Sequence, residues 1–283
     1  MDKIKRAIVF GGKAIVSILD TKEIAQKASD LHGFSTPVAG AMARFLTMGA
    51  FISANFKSKG DRLTAIIQCT GPCEKMVVCG DWGGVVKGYC TQPKALDGEN
   101  DAPVSQVVGR GYLNIIKDLG MKEPYNGLIE LACGNIAGDF AYYFSVSEQI
   151  NSAIALGSKF EDGKCLASGG IVIQPMPGCE EEILFILEDI VSNFTDVAAM
   201  LQEKSVDEIM DFYFGHFEIE YLDDIMPKYE CNCSVEKIKN MLVSLGKEQA
   251  MEIVESQGAI QVNCEFCGKN YMFDKAQVEE LFE

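Results

Sequence analysis

The sequence has little histidine and no phosphate-binding signature, and these absences exclude the commonest kinds of catalytic site. Only His32 and His216 occur among the 283 residues, and neither belongs to a nucleophile or metal motif. The chain contains no G-x-x-x-x-G-K-[ST] sequence, which excludes a P-loop for ATP. Gly109-Arg110-Gly111 lacks the strand and helix context of a dinucleotide site, and no paired carboxylates stand out before the acidic segment. We therefore interpret both histidines as structural and predict that the protein is not an enzyme.

Positive charge is also scarce, above all in one segment. The formal net charge is −16, and residues 180–230 hold fifteen acidic residues against two basic ones. Without a basic face there is nothing to bind a row of phosphates, so we predict that nucleic acid is not a partner. The charge asymmetry marks residues 179–230 as a distinct physical unit between residues 1–178 and 231–283.

No export signal and no uninterrupted membrane span are evident. The first six residues are charged, and the apolar run after them is broken by Gly11, Gly12 and Lys13. The most apolar window, residues 38–56, contains Arg44 and several polar residues, which favours a buried helix. Eleven cysteines without an export signal indicate a reducing compartment. We predict a cytoplasmic protein with no membrane partner.

Four of those cysteines form two close pairs near the C-terminus. Cys231 and Cys233 are spaced C-x-C, and Cys264 and Cys267 are spaced C-x-x-C about thirty residues later. Each spacing places two thiols on one tight loop, and two facing loops supply the four sulfurs of a structural zinc site. Gly268 follows the second pair, where such loops often need a left-handed residue. The alternative is four unrelated buried thiols.

The segment that holds these pairs is too small to be safely stable alone. We predict two short helices between the pairs, the first of them capped by Ser234. We also predict a strand on either side of the second pair, the later one containing Tyr271, and a last helix capped by Asp274 with Gln277 at the capping-box position. Cores of this size supply no more than about 3–5 kcal/mol, whereas structural zinc contributes about 10–16 kcal/mol to small domains. The metal therefore decides whether the module folds.

The ligand thiolates are also the form that oxidants attack. Each pair can close on itself as a disulfide, and neither disulfide leaves a tetrahedral site. The four cysteines can thus serve as a plain structural clamp or as a redox switch, and spacing alone favours the clamp.

The rest of the chain predicts an α+β fold. Residues 1–178 alternate short strands with occasional helices, which is typical of a mostly antiparallel sheet domain. Expected helices begin near Thr21 and Thr36, and a longer helix is expected over residues 136–149. The expected strands include residues 128–133, and residues 91–104 are expected to form a loop.

Residues 179–230 predict an acidic helical linker. Apolar residues recur at helical spacing from Ile183 to Leu201, and Ser205 with Glu208 fits a capping box for a further helix. The simple interpretation is an amphipathic connector with a solvated acidic face. A second interpretation is a marginal connector, helical only while its apolar stripe is docked, because fifteen acidic residues repel one another once it is released.

Seven further cysteines show no quartet spacing. Cys69-x-x-x-Cys73 could bind metal or pair, but we interpret most of the seven as small buried apolar residues. They are Cys69, Cys73, Cys79, Cys90, Cys133, Cys165 and Cys179.

Taken with its flanks, the cysteine pattern resembles that of the redox-regulated 33-kDa heat-shock chaperonin family. The likeness covers nearly the whole chain, although the seven additional cysteines are not required by the family's mechanism. It is carried by Glu230-Cys231-Asn232-Cys233-Ser234, Cys264-Glu265-Phe266-Cys267, Gly83-Gly84-Val85-Val86-Lys87-Gly88-Tyr89, the run from Ala141 to Gln149 and the run from Ala167 to Gln174.

The resemblance implies an ATP-independent holdase that is inactive while reduced and zinc-bound. One zinc ion per chain would be held by Cys231, Cys233, Cys264 and Cys267. Oxidative stress would form the disulfides Cys231–Cys233 and Cys264–Cys267, release zinc, unfold the C-terminal module and loosen the linker. The active form, a homodimer, would bind unfolding client proteins. The competing hypothesis is a constitutively folded zinc protein whose C-terminal module binds one specific protein partner.

Overall fold

The computed structural model describes residues 1–282, and the chain separates into two compact units, Met1–Glu230 and Cys231–Glu283. The fold is of the α+β class with mostly antiparallel sheets, as predicted. In chain order the elements of the larger unit are β1 (Lys3–Val9), β2 (Ala14–Asp20), α1 (Lys22–His32), α2 (Thr36–Ala54), β3 (Arg62–Cys69), β4 (Lys75–Asp81), β5 (Val85–Cys90), α3 (Val104–Val108), β6 (Gly111–Asp118), β7 (Tyr125–Glu130), α4 (Ala137–Tyr143), a π-helical turn (Phe144–Glu148), β8 (Ala153–Glu161), β9 (Lys164–Pro175), α5 (Glu181–Ser192), α6 (Val197–Glu203), α7 (Val206–Phe214), β10 (Ile219–Tyr221) and β11 (Lys228–Tyr229).

These strands form two sheets. The first sheet has the order β10-β1-β2-β9-β8 and is antiparallel throughout. The second has the order β11-β5-β4-β3-β6-β7 and is antiparallel except where β11 pairs parallel with β5. Parallel neighbours need a long crossover, and here β5 and β11 lie far apart in the chain.

Helix α2 forms the centre of the larger core. It packs against strands of both sheets, and 89% of its most apolar window is buried inside the protein, so the prediction of a buried helix is confirmed. Close packing depends on small residues: a Cβ atom added at Gly49 would lie 2.5 Å from Val78 Cγ1. The hydroxyl groups of Thr47 and Ser53 donate hydrogen bonds to backbone carbonyls one turn earlier in α2. These buried polar groups therefore have their hydrogen-bond partners within the helix itself.

The first sheet buries both of its faces. Side chains alternate along a strand, so Val172 of β9 joins the core around α2 while its neighbours Ile171 and Ile173 point to the opposite face. That opposite face is covered by the acidic segment: residues such as Leu187 and Ile209 pack on it in a second core. The apolar stripe predicted from the sequence is therefore docked.

The acidic segment is broken into three helices, whereas its periodicity predicted one continuous stripe followed by a second helix. The break falls at residues 193–196, where Asp196 accepts a hydrogen bond from Ala199 N at 2.9 Å and caps α6. Asn and Asp side chains compete with the helix for backbone groups, which explains the interruption. The predicted capping box of Ser205 and Glu208 at the start of α7 is confirmed.

Four charged side chains form salt bridges that link β1 to α7 and to the residues that follow α7. Lys3 Nζ lies 2.7 Å from both Asp207 Oδ2 and Asp224 Oδ2, and Lys5 Nζ lies 3.3 Å from both aspartates. The hydrogen bond from Lys3 lowers the pKa of Asp207. Because each lysine contacts two carboxylates, the network offsets part of the repulsion within the acidic segment.

Several local predictions differ from the structure. The strand expected at residues 128–133 is Tyr125–Glu130, and the helix expected over residues 136–149 ends at Tyr143 and continues as the π-helical turn. Helix α3 begins within the expected loop, and the expected linker ends in two short strands, β10 and β11. Strands β10 and β11 form by pairing with β1 and β5, which lie far away in the chain, and local periodicity does not report such pairing.

The smaller unit consists of α8 (Val235–Leu245), α9 (Lys247–Gln257), β12 (Ala259–Asn263), β13 (Asn270–Asp274) and α10 (Lys275–Glu280). Its predicted caps are confirmed: Ser234 accepts a hydrogen bond from Lys237 N, and Asp274 with Gln277 forms a capping box. Strands β12 and β13 form an antiparallel hairpin. Its apolar core contains only six buried residues, namely Leu242, Ala250, Val254, Ile260, Phe273 and Val278.

The docked face of α7 yields a prediction. Ile209 is fully buried, so Ile209→Ala should lower the free energy of unfolding by about 2–5 kcal/mol and make the acidic segment easier to cleave by protease. The control is Phe212→Ala on the same helix, because Phe212 is 65% exposed and its truncation leaves no cavity. Urea unfolding and limited proteolysis measure both. Equal stabilities for the two variants would contradict the proposed docking.

Candidate metal centre

Two tight loops of the smaller unit carry the four cysteines. Cys231 and Cys233 lie just before α8, whose N-cap is Ser234. Cys264 and Cys267 lie in the loop that joins β12 to β13, where Cys264 N donates to Lys269 O at 2.9 Å and Gly268 N donates to Cys264 O at 2.8 Å. Gly268 has φ of 68°, so the left-handed residue predicted after the second pair is present.

The four sulfur atoms converge. Cys231 Sγ lies 3.6 Å from Cys264 Sγ, and Cys233 Sγ lies 3.4 Å from Cys267 Sγ. All four lie within 4.8 Å of one another, and all four residues are half-buried. A tetrahedral ion with metal–sulfur bonds of about 2.3 Å needs sulfur–sulfur separations of about 3.8 Å. The spacing of the donors therefore fits one metal ion, and the donor set is of the soft sulfur type.

A hydrogen bond from outside the cysteine set orients one of the sulfurs. Tyr271 Oη, on β13, donates to Cys233 Sγ at 3.0 Å. Strand β13 therefore supplies a hydrogen-bond donor to the site and apolar side chains to the core of the smaller unit. The sequence predicts Tyr271 as a strand residue only, and a tyrosine four residues after a C-x-x-C pair is the signal that could have indicated this second role.

The thiols differ in acidity. Burial raises the pKa of Cys231 to about 12 and also raises the pKa of Cys267. Burial alone would raise the pKa of Cys233 as well, but the hydrogen bonds from Tyr271 and the neighbouring thiols outweigh it and lower that pKa to about 7. Metal binding requires all four thiolates, so an ion entering this site displaces protons and binds more tightly at higher pH.

Among residues 1–282, the four cysteines are the one group of three or more histidine, cysteine, aspartate or glutamate side chains whose ligand atoms lie this close together. The two histidines lie elsewhere: His32 contacts the hydroxyl of Tyr229, and His216 packs on Phe217. Both histidines make contacts of the structural kind that was predicted.

The other seven cysteines are only in part the buried apolar residues that were predicted. Cys73, Cys90 and Cys165 are buried, whereas Cys133 is exposed. Cys69 and Cys73 are close enough for their sulfur atoms to touch, at 3.3 Å.

Comparison with known proteins extends the likeness over the whole chain. The family described as Hsp33 protein matches residues 2–274. A 33 kDa chaperonin of Thermoanaerobacter is 34% identical over 286 residues, covering 99% of this chain and 97% of that protein. A 33 kDa chaperonin of Lachnoclostridium phytofermentans is 36% identical over 287 residues, covering 99% of this chain and 98% of that protein. The crystal structure of a 33 kDa chaperonin from Thermotoga maritima superposes with a TM-score of 0.88 at 29% identity, covering 99% of this chain and 97% of that one.

The hydroxyl of Tyr271 provides a test of the site. Tyr271→Phe keeps the ring but removes the hydrogen bond to Cys233 Sγ, so the metal affinity should fall by about 10–100-fold. The affinity is measured by competition with a chromogenic chelator. Tyr112→Phe is the control, because Tyr112 lies in the larger unit and is half-exposed. Unchanged affinity in Tyr271→Phe would show that this hydrogen bond does not support metal binding.

Proposed function

This chain belongs to the Hsp33 protein family, and on that premise we propose that it is a redox-regulated, ATP-independent holdase of the cytoplasm. Its relatives are named chaperonins, and the four sulfur atoms within 4.8 Å of one another are the observation that carries the proposal. The reduced, metal-bound form is inactive, and oxidative stress activates it.

We assign the metal as zinc, one ion per chain, with Cys231, Cys233, Cys264 and Cys267 as its ligands. Zinc prefers a closed tetrahedron of thiolates at structural sites and supplies no redox chemistry of its own there. The stabilisation matters because the smaller unit buries only six apolar side chains around its core. A core of that size contributes no more than about 3–5 kcal/mol, so the free energy of metal binding decides whether this unit is folded.

Oxidation converts the site into the disulfides Cys231–Cys233 and Cys264–Cys267. In the reduced structure Cys231 Sγ lies 3.6 Å from Cys264 Sγ and Cys233 Sγ lies 3.4 Å from Cys267 Sγ, so both contacts run between the loops. Pairing within each loop consumes all four thiolates and leaves nothing that bridges the two loops. Oxidation therefore removes the ligand set and, with it, the main stabilisation of the smaller unit.

The acidic segment is the element that responds. It continues directly into Cys231 along the chain, and its last strand, β11, is anchored by Tyr229, whose hydroxyl donates to Gly88 O at 3.0 Å. When the smaller unit unfolds, the segment loses one of its two folded ends, while its own charge favours release. Undocking uncovers the apolar side chains of the second core, and these bind the exposed apolar surface of unfolding client proteins. The active form is a homodimer and uses no nucleotide.

One observation favours the second candidate, a constitutively folded zinc protein that binds a specific partner. The smaller unit exposes several large apolar side chains while it is folded. They are Met241, Val243, Leu245 and Met272. A partner that covers them would need no oxidation.

Removal of one ligand tests the role of the metal. Cys264→Ser should weaken zinc binding by more than the ~10–100-fold that loss of an outer-shell partner costs. The smaller unit should then be unfolded even when reduced, because three ligands no longer close the tetrahedron. Proteolysis and zinc content report the two effects. Cys133→Ser, an exposed cysteine of the larger unit, is the control. A protease-resistant C-terminus in Cys264→Ser would contradict the proposed dependence on metal.

Activation is tested on the full-length chain without nucleotide. Light scattering of a heat-unfolded client should be suppressed by the peroxide-treated protein and not by the reduced protein. One zinc ion per chain should leave as the thiols disappear. Trypsin separates the two pairs into peptides 229–237 and 248–269, so each disulfide should appear as a loss of two hydrogen masses within one peptide.

A link between those two peptides would refute the proposed pairing. Equal suppression by the reduced and oxidised forms would refute redox control and leave the partner-binding hypothesis.

A further inference from the structure

Three cysteines of the larger unit lie together at one end of the second sheet. Cys69 ends β3, Cys73 lies in the turn that leads to β4, and Cys90 ends β5. Cys69 Sγ lies 3.3 Å from Cys73 Sγ, and Cys90 Sγ lies 3.5 Å from the carbonyl oxygen of Cys73. Strand pairing and the turn therefore bring these thiols together, although their spacing in the chain matches no metal motif.

The turn is held in place from both sides. Gly71 N donates to Val108 O at 2.9 Å, and Cys73 N donates to Val107 O at 3.2 Å. A Cβ atom at Gly71 would lie 2.4 Å from Val107 O, so only glycine permits this approach to the end of α3. Cys69 N in turn donates to Glu74 O at 2.9 Å. Backbone hydrogen bonds therefore fix the positions of the two cysteines and keep their sulfur atoms close together.

The two thiols of the close pair have different access to solvent. Cys69 is partly exposed, Cys73 is fully buried and Cys90 is 7% exposed. The hydrogen bond with Cys73 lowers the pKa of Cys69 and raises the pKa of Cys73 itself. The reachable thiol is therefore also the one whose thiolate is favoured, which is the arrangement of an attacked cysteine beside a resolving one.

A metal ion is a poorer occupant of this site than a disulfide. Among the described residues, the close grouping of ligand atoms that a metal needs is found in the C-terminal quartet and not here. A disulfide, by contrast, needs only that the Cys69 and Cys73 sulfurs move from 3.3 Å to the bond length of about 2.05 Å.

We propose that Cys69 and Cys73 are a second redox-active dithiol, which hydroperoxides oxidise to a disulfide independently of the C-terminal cysteines. The Cys69 thiolate attacks one peroxide oxygen, the O–O bond breaks, and a sulfenic acid and hydroxide result. The Cys73 sulfur then displaces the hydroxyl group from Cys69, and the Cys73 proton leaves with it as water. In sum two thiols lose two electrons and two protons, and hydrogen peroxide becomes two molecules of water.

The short separation of Cys69 and Cys73 along the chain indicates the role of their disulfide. Loop-closure stabilisation grows with loop length, and a loop of five residues gives little of it. The pair therefore serves to sense or consume oxidant more than to stabilise the fold. Because it lies in the larger unit, its oxidation requires neither loss of metal nor release of the acidic segment.

Peptide mapping of the intact chain tests this inference. After peroxide treatment and alkylation, trypsin gives peptide 63–75 with both Cys69 and Cys73, and peptide 88–94 with Cys90. We expect peptide 63–75 to lose two hydrogen masses and to take no alkylating label. In Cys69→Ser, at a partly exposed position, the same peptide should take label at Cys73. The control Cys90→Ser should form the disulfide as the unaltered chain does.

Three outcomes would overturn the proposal. One is full labelling of Cys69 and Cys73 after the C-terminal pairs are completely oxidised, and another is a link between peptides 63–75 and 88–94. The third is a second equivalent of bound zinc that Cys69→Ser removes, which would make the cluster a metal site. The C-terminal pairs are read from separate peptides, so this result is independent of the proposed chaperone mechanism.

Discussion

The close approach of four sulfur atoms is the main structural constraint in the C-terminal unit. Four thiols within 4.8 Å of one another are an unfavourable arrangement if they are charged and unbridged, and a favourable one around a cation. The six buried apolar side chains of this unit offer little to offset the cost of ordering its chain. Under the proposed function, folding of this unit therefore depends on the ion that bridges the sulfurs, and oxidation of the thiolates removes that ion.

The two faces of the first sheet are covered by helices that differ in charge. One face packs on α2, in which Arg44 is the one charged residue. The other face is covered by α5, α6 and α7, whose outer surfaces carry much of the negative charge of the chain. Apolar contacts and the lysine–aspartate salt bridges stabilise the packing of these helices on the sheet. Repulsion among their acidic side chains opposes that packing. Under the proposed function, release of these helices exposes the second core, whereas the core around α2 stays packed.

Seven of the eleven thiols lie in two clusters that differ chemically. Those of the C-terminal loops are brought together by sequence spacing and by a hairpin, in an arrangement suited to an ion. Those at the end of the second sheet are brought together by strand pairing, in an arrangement suited to bond formation between Cys69 and Cys73. Two thiol centres in separate folded units would let one chain respond to oxidant with and without loss of metal.

Features that depend on near neighbours could be predicted from the order of the amino acids. The two cysteine spacings, the caps at Ser234 and Asp274, the capping box at Ser205 and the buried character of α2 were all predictable, because each is decided within one or two turns of chain. Residues close in sequence constrain one another before any tertiary contact forms.

The contacts between distant residues become visible only in the folded chain. Local pattern did not predict the parallel strand β11, the break at Asp196, the hydroxyl of Tyr271 on Cys233 or the meeting of Cys69, Cys73 and Cys90. Strand register and sheet packing set these contacts, and both depend on the summed burial of many side chains from remote parts of the chain, which no short window of sequence contains.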